Sequence, residues 1–372
     1  IIKGDHIDIV ELGKFKEMFN KIACKKVLED GNPIKPGNIK KKLNELGYYN
    51  YIIDYLNHYI TIDESGHCYL IEVVYDGDDI NNFIERRSKN NFLDSYPSIK
   101  FELLHWIDSP KKNTTRNIVF KPELVRSTES KKEYNLFTGF KYRYDPDFEV
   151  DETKINYILD HIKKVLFSNK PELYNFYFQI LHNMFSNPMT KTGILINMFG
   201  GMGIGKTIIT ELLCELLTSK NSVTVATKDR LTQQFNKILQ NKLLITVEEC
   251  ATVGKEKHDF FDQLKAKVTN KTTISEAKFA DSQEVVDFSN YHFISNNPFT
   301  TKIETTADRR VFCNEPDNDM IYKLDKKTDR KVYFDKLRDD KDNEDVQVHL
   351  FHWICQFDMN ISLMVIPDSK SR

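Results

Sequence analysis

The sequence has few of the features that hold a structural metal or cross-link a small secreted protein. Only six of its 372 residues are cysteine, and no two of them form a C-x-x-C pair. They are Cys24, Cys68, Cys214, Cys250, Cys313 and Cys355. Wide scatter of this kind indicates neither a zinc knuckle nor a disulfide framework. We therefore expect the chain to work in a reducing compartment.

The chain also lacks a long apolar run and an excess of charge of one sign. Its least charged windows, residues 174–190 and 192–205, are interrupted by Asn, Gln, Gly or Thr, so no segment predicts a transmembrane helix. Lys and Arg number 53 and Asp and Glu 55, which gives a formal net charge of −2. This balance excludes a general basic field that would hold nucleic acid non-specifically. Any contact with nucleic acid must therefore be local.

The first residues, IIKGDHIDIV, have neither an initiator Met nor the layout of a signal peptide. We therefore expect a protein that is not secreted, and a fragment truncated at both ends. Hydrophobic residues make up 40% of the sequence and charged residues 29%, which is typical of soluble globular proteins. Membrane partners are not expected.

The pattern of apolar, turn and charged residues divides the chain into four segments. Residues 1–94 combine helical periodicity with a strand–turn–strand pattern around Gly66, which predicts a small α+β module. Residues 95–189 begin with an aromatic connector whose prolines forbid a long helix, and continue with two amphipathic helices. Residues 190–315 alternate short apolar runs with helical patterns, which predicts an α/β core with a parallel sheet. Residues 316–372 predict a C-terminal helical segment.

A glycine-rich stretch carries the strongest chemical signal. Residues 200–207 read GGMGIGKT and satisfy G-x-x-x-x-G-K-[ST], between an apolar strand pattern and a helical one. Glycines let the backbone curl so that its N–H groups point at phosphate oxygens, the lysine reaches the β- and γ-phosphates, and the threonine hydroxyl ligates Mg²⁺. The alternative is a glycine-rich turn with an accidental Lys-Thr. The predicted nucleotide-binding residues are Gly200, Gly201, Gly203, Gly205, Lys206 and Thr207, with ATP and Mg²⁺ as ligands.

Two carboxylates follow the apolar run LLITV at 243–247. Glu248 and Glu249 are thereby placed where a buried parallel strand ends, at the edge where such sheets bind ligands. We assign Glu248 to Mg²⁺, through water, and Glu249 to polarising the attacking water. A strand that leads into a solvated turn has the same pattern. The position about 40 residues after the glycine-rich stretch favours the catalytic interpretation.

A third strand pattern, YHFIS, ends in Ser295, Asn296 and Asn297 before a proline. An amide at this point can hold the lytic water and a phosphate oxygen together, whereas a carboxylate would repel the anion. The alternative is an Asn-Asn-Pro turn that closes a core strand. Because the two preceding motifs are also present, we favour the amide interpretation.

Two basic features complete the pattern. Arg309 and Arg310 precede a short strand, in a position suited either to a neighbouring subunit's nucleotide or to ordinary surface ion pairs. The stretch KAKVTNKTTISEAKFADSQEVVDF predicts a hairpin, and residues 265–278 within it hold four lysines against one glutamate. Such a hairpin could hold a nucleic-acid strand, or it could be a solvated edge protected by lysines.

In order and spacing, these motifs resemble those of superfamily 3 viral helicases, specifically the poxvirus-type primase-helicase branch. GGMGIGKT is similar to the Walker A motif of that family, LLITVEE to motif B, LKAKVTNKTTISEAKF to the B′ hairpin, FISNNP to motif C and DRRVF to the arginine-finger region. Upstream, FELLHWIDSP, NIVFKPEL and YNLFTGFKY resemble the collar segment of this branch, and FHWICQFDMNISLMVIPDSK resembles its final helix. The resemblance covers roughly residues 50–370.

The resemblance implies a P-loop, AAA+-like ATPase core preceded by a helical collar. It also implies a homo-hexamer that couples ATP hydrolysis to translocation on single-stranded DNA and to unwinding of forked DNA. Asn296 would be the sensor, Lys278 the hairpin's DNA contact with Lys271 beside it, and Arg309 or Arg310 the finger. Any primase domain would lie outside this chain. An intracellular location, in the host cytoplasm or at a site of viral replication, follows.

Two other functions stay open. A non-translocating P-loop NTPase or kinase would need a lid and an acceptor pocket, but not paired finger arginines. An inactive replication scaffold would keep the fold and hydrolyse nothing. Lys206, Glu249 and the arginine pair argue against the scaffold.

Overall fold

The structure is a computed structural model that describes residues 9–57, 60–64, 69–74, 83–123, 133–226, 237–248, 263–275, 283–296, 309–316 and 327–363, with residues 231, 319, 321, 324 and 365–367 besides. The chain forms two compact units, Ile1–Phe120 with Arg126–Thr138, and Lys121–Val125 with Gly139–Arg372. The finer division into four segments stays a prediction. Within the described ranges, no helix has both the length and the apolar character needed to cross a membrane.

The first unit packs helices with a small sheet. Its helices are α1 (Ile9–Glu29), α2 (Pro36–Glu45), α3 (Tyr48–Asn57), α4 (Lys89–Ser95) and α5 (Lys100–Asp108). Its strands are β1 (Ile60–Asp63), β2 (Tyr69–Val74), β3 (Phe83–Ser88), β4 (Thr114–Thr115), β5 (Asn117–Val119) and β6 (Glu133–Asn135). The sheet order is β3-β2-β1-β4, and β5 pairs with β6. The antiparallel pairing of β1 with β2 confirms the predicted strand–turn–strand, whose central residues 65–68 lie outside the described ranges.

Burial of large apolar side chains holds this unit together. Trp106, Tyr48 and Leu56 are completely or almost completely buried in one cluster. The indole N–H of Trp106 donates to Asn57 Oδ1 at 2.8 Å, so its polar group is satisfied. The unit thus has a core of its own.

Several helices of the second unit begin at residues that favour a helix start. The described helices of the unit are α6 (Glu152–His161), α7 (Pro171–Ser186), α8 (Lys206–Asn221), α9 (Lys327–Asp342) and α10 (Glu344–Gln356). The carboxylate of Asp151 accepts a hydrogen bond from the Thr153 N–H, and Pro171 opens α7. A π-helical turn, Ile162–Leu166, extends α6. The two helices predicted ahead of the sheet and the C-terminal helix are therefore confirmed.

The predicted parallel sheet forms the centre of the second unit and has five strands. Its strands are β7 (Leu195–Phe199), β8 (Ser222–Val225), β9 (Leu244–Glu248), β12 (Asn290–Ser295) and β13 (Val311–Asn314), in the order β13-β7-β12-β9-β8. Every residue of β7 and β12 is buried, which explains their continuous apolar character. The antiparallel strands β10 (Thr272–Ser275) and β11 (Gln283–Val286) form the predicted hairpin; residues 276–282 between them lie outside the described part of the chain.

Candidate functional site

The carboxyl ends of three neighbouring strands meet at one edge of the parallel sheet. Ser295 of β12 lies opposite Phe199 of β7, and Ile294 lies opposite Glu248 of β9. The Gly200 N–H donates to the Ser295 carbonyl at 3.1 Å, so the loop after β7 starts hydrogen-bonded to β12. The parallel register therefore brings the predicted residues Gly200, Glu248 and Asn296 to one edge.

The loop between β7 and α8 has a conformation that depends on glycine. Gly203 has φ +75° and Gly205 has φ +93°, both in the left-handed region. Gly205 directly precedes α8, and no side chain caps this helix. The first N–H groups of α8 therefore lack intrahelical partners, and they form the kind of helix N-terminus at which anions bind.

The side chain of Lys206 lies within this loop. Its ammonium donates to the carbonyl oxygens of Gly200 and Gly201, both at 2.8 Å, and to Asn296 Oδ1 at 3.3 Å. Only 5% of Lys206 is exposed. Two predicted site residues that are 90 positions apart thus share a hydrogen bond.

A cleft of about 300 Å³ opens in front of the loop. Its lining includes Lys206, Thr207, Glu248 and Asn296. Within the described residues, no group of three or more His, Cys, Asp and Glu side chains could hold a metal ion. Mg²⁺ bound with a nucleotide needs only one or two oxygen ligands from the protein, because phosphates and water complete its shell. The Thr207 hydroxyl and the Glu248 carboxylate fit that requirement.

The imidazole of His161 lies behind the loop. Its Nε2 lies 2.6 Å from the position that a Cβ atom on Gly205 would occupy. His161 is 1% exposed, its Nδ1 lies 2.9 Å from the Tyr333 hydroxyl, and burial lowers its pKa to about 4. Among the described residues, Nε2 has no hydrogen-bond partner. A neutral imidazole from α6 therefore supports the turn that precedes Lys206.

Two side chains of α9 also line the cleft, and neither was predicted as a site residue. Phe334 and Arg338, one turn apart on α9, line it together with the loop. The Arg338 guanidinium lies 3.2 Å from Asp335 Oδ1, and 55% of its side chain is exposed, so it can also bind an anion in the cleft. The sequence predicted only a C-terminal helical segment over residues 316–372, and no local pattern pointed to the cleft.

The predicted arginines lie where the strands of the parallel sheet begin, at the edge opposite the cleft. β13 runs parallel to β7, and the Arg310 carbonyl accepts a hydrogen bond from the Leu195 N–H at 2.7 Å. Arg309 and Arg310 therefore lie level with the beginning of β7, not with its end at the cleft. A strand of five residues is about 16 Å long. The structure does not bring either arginine to the cleft of its own chain.

The remaining predicted residues lie in or beside the hairpin and after β9. Lys271 is exposed immediately before β10, at the base of the hairpin. Lys278 and Glu249 lie outside the described residues. The Asp287 N–H donates to the Lys271 carbonyl at 2.8 Å, so the chain entering the hairpin and the chain leaving it are hydrogen-bonded at its base.

Comparison with known proteins shows what this chain is similar to. The sequence model of a family described as "Family of unknown function (DUF5906)" matches residues 198–310, which include the glycine-rich loop, Glu248, Asn296 and both arginines. The apo structure of the NrS-1 C-terminal region matches with a TM-score of 0.65 over 87% of this chain and 73% of that chain, at 18% sequence identity. The two chains share a fold. The A form apo structure of that region matches with a TM-score of 0.63 over 86% of this chain and 72% of that one, also at 18% identity. No curated protein matches the sequence.

Proposed function

We propose that this protein is an ATP-dependent replicative DNA helicase of the viral or plasmid superfamily 3 type. In this proposal a P-loop, AAA+-like core couples ATP hydrolysis to translocation on single-stranded DNA and to unwinding of a duplex. The observation that carries it is the contact between Lys206 and Asn296 in a cleft that also contains Thr207 and Glu248. A lysine, an amide, a hydroxyl and a carboxylate around a helix N-terminus form a set suited to a nucleoside triphosphate.

The roles of these residues follow from their chemistry. The loop N–H groups and the N-terminus of α8 would bind phosphate oxygens, and Lys206 would exchange the Gly200 and Gly201 carbonyls for the β- and γ-phosphates. Asn296 would hold the lytic water against the γ-phosphate, and Glu249 would polarise that water. Thr207 and Glu248 would hold Mg²⁺, which neutralises phosphate charge when it is bound.

The DNA and ring parts of the proposal use different surfaces. The β10–β11 hairpin, with Lys271 at its base and Lys278 in its central stretch, would hold single-stranded or forked DNA. Arg309 and Arg310 lie away from their own cleft, which suits a finger directed at the next subunit of a homo-hexamer. We propose intracellular action, in the host cytoplasm or at a viral replication site, with any primase activity on another segment.

The test is ATP hydrolysis with and without single-stranded DNA, measured on fractions separated by size. We expect hydrolysis in a ring-sized fraction, stimulation by single-stranded DNA, and unwinding of a forked duplex. Lys206→Ala should abolish turnover. Lys164→Ala is the matched control, because Lys164 is exposed on the π-helical turn and paired with Asp160. Hydrolysis without stimulation or unwinding would instead favour a non-translocating NTPase or kinase, and no hydrolysis by the wild type would favour a scaffold.

A further inference from the structure

At the edge of the parallel sheet opposite the cleft, a lysine side chain joins three segments of the second unit. Lys191 lies four residues before β7, and its ammonium donates to the Lys267 carbonyl at 2.6 Å, to the Asn270 carbonyl at 3.0 Å and to Asp287 Oδ2 at 2.7 Å. Its side chain is 6% exposed. These three oxygens match the three N–H donors of an ammonium group.

The partners of Lys191 stand on both sides of the β10–β11 hairpin. The carbonyls of Lys267 and Asn270 lie at the end of the helical residues 263–269, just before β10. Asp287 directly follows β11, and its second carboxylate oxygen accepts hydrogen bonds from the Ser289 N–H at 2.9 Å and the Ser289 hydroxyl at 2.6 Å. The segment before β10 and the segment after β11 thus both accept hydrogen bonds from one buried ammonium.

A surface ion pair would not have this geometry. Burial lowers the pKa of Lys191, and the nearby Asp287 carboxylate opposes that shift. A desolvated ammonium is stable only where hydrogen bonds replace its water, so the surrounding oxygens must keep their positions. An uncharged side chain of the same length could not satisfy them.

Lys191 and its three partners lie close to the first residues of the two strands that lead to the cleft. β7 runs from here to the glycine-rich loop, and β12 runs from Asn290 to the residue before Asn296. The Thr192 hydroxyl donates to Asn290 Oδ1 at 2.6 Å, which joins the two strand beginnings. Six residues of strand span about 20 Å. Lys191 is therefore connected to the cleft through two short, fully buried strands.

We propose that Lys191 is a positioning residue that fixes the base of the β10–β11 hairpin to the strands that end at the cleft. The part of this inference that concerns DNA rests on the proposed function. Without Lys191 the hairpin would still form, but it would no longer move as one body with β7 and β12. Coupling between the hairpin and ATP turnover would then be lost.

The test uses the full chain and two variants. Lys191→Met keeps an unbranched side chain only one atom shorter and removes the ammonium. Lys191→Met/Asp287→Asn also removes the carboxylate that would be left buried without its partner. Lys164→Met is the control for loss of an exposed lysine. Two measurements are made on each protein. The first compares the hydrogen-exchange rates of the backbone amides in β10 and β11 with those in β7. The second compares the single-stranded DNA concentration that gives half-maximal ATPase stimulation with the KM for ATP.

We expect exchange in β10 and β11 to rise at least tenfold in both variants, with less than a twofold change in β7. The half-saturating DNA concentration should rise about fivefold, while the KM for ATP stays within twofold. The proposal would be overturned if the variants had the same exchange rates in the hairpin as the wild type. It would also be overturned if exchange rose equally in the hairpin and in β7. If the wild type shows no response to DNA, the proposed function fails, and the exchange comparison still decides the role of Lys191.

Discussion

His161 occupies the space that a side chain on residue 205 would need. The ring atoms Nε2 and Cε1 lie 2.6 and 2.8 Å from the position of a Cβ atom on Gly205, and the aromatic Cε1 of Phe334 lies 3.2 Å from it. Gly205 also has a φ of +93°, which side chains rarely tolerate. Two independent constraints, one steric and one conformational, therefore require glycine immediately before Lys206.

Gly205→Ala should abolish nucleotide binding, because the loop would have to move away from His161. Gly203→Ala is the matched control: Gly203 has φ +75° but open space around it, so it should cost only the strain of about 1–2 kcal/mol. Binding of a fluorescent ATP analogue measures both. His161→Ala/Gly205→Ala should recover part of the affinity, and equal losses in the two single variants would contradict the steric argument.

Arg338→Ala should weaken ATP binding about 10- to 150-fold, because a charge-assisted hydrogen bond to phosphate contributes roughly 1.5–3 kcal/mol. Arg338→Lys should retain part of the affinity, since it keeps the charge but not the planar fork. Calorimetric titration with a non-hydrolysable analogue gives the dissociation constants. Lys331→Ala, an exposed change on the same helix, is the control. An unchanged affinity in Arg338→Ala would show that α9 is not part of the proposed nucleotide site.

Arg309→Ala and Arg310→Ala should each be tested in mixtures with the wild type. If one arginine completes the site of the neighbouring subunit, its variant inactivates wild-type sites beside it. ATPase activity of the mixture should then fall below the value expected from the fraction of wild-type chains. A linear decrease for both variants, or full activity of a monomer, would argue against the ring.

Lys278→Ala should reduce unwinding much more than hydrolysis of ATP without DNA. The lysine would contact the nucleic-acid backbone, so its loss would weaken binding to the strand. It would also make DNA binding less dependent on salt concentration. A forked-duplex assay and DNA titrations at two salt concentrations measure these effects. Unwinding at the wild-type rate would show that the hairpin residue has been misassigned.

His292→Leu should make stability less dependent on pH. His292 lies in the middle of β12, neither ring nitrogen has a partner within the described ranges, and burial lowers its pKa to about 3. Between pH 7 and pH 5 the unfolded chain takes up a proton at His292 and the folded chain does not, so the free energy of unfolding falls. This residue contributes about 2 kcal/mol of that fall.

Urea unfolding at pH 5, 6 and 7 measures this contribution. The decrease from pH 7 to pH 5 should be about 2 kcal/mol smaller in His292→Leu than in the wild type. His161, which burial also keeps neutral, should account for part of the dependence that remains. Parallel curves for the two proteins would show that His292 is not neutral and buried.

Local patterns were sufficient for the strand, loop and helix around residues 195–221. An apolar run, four glycines and an amphipathic repeat are contiguous in the chain, and each predicts its own element from short-range periodicity and backbone freedom. The strands that end at Glu248 and Ser295 were predicted for the same reason. Their meeting at one edge followed from the rule that parallel strands end together, without any knowledge of the contacts.

Long-range packing decided the rest of the site. His161 contacts the loop and Arg338 lines the cleft from helices that lie far from the loop in sequence, and the parallel register of β13 with β7 places Arg309 and Arg310 at the edge opposite the cleft. The three partners of Lys191 come from segments about 80 to 100 residues away. The sequence by itself determined which elements form, because that depends on neighbouring residues. Only the tertiary structure decided which side chains share a site, because that depends on strand order and on burial between distant segments.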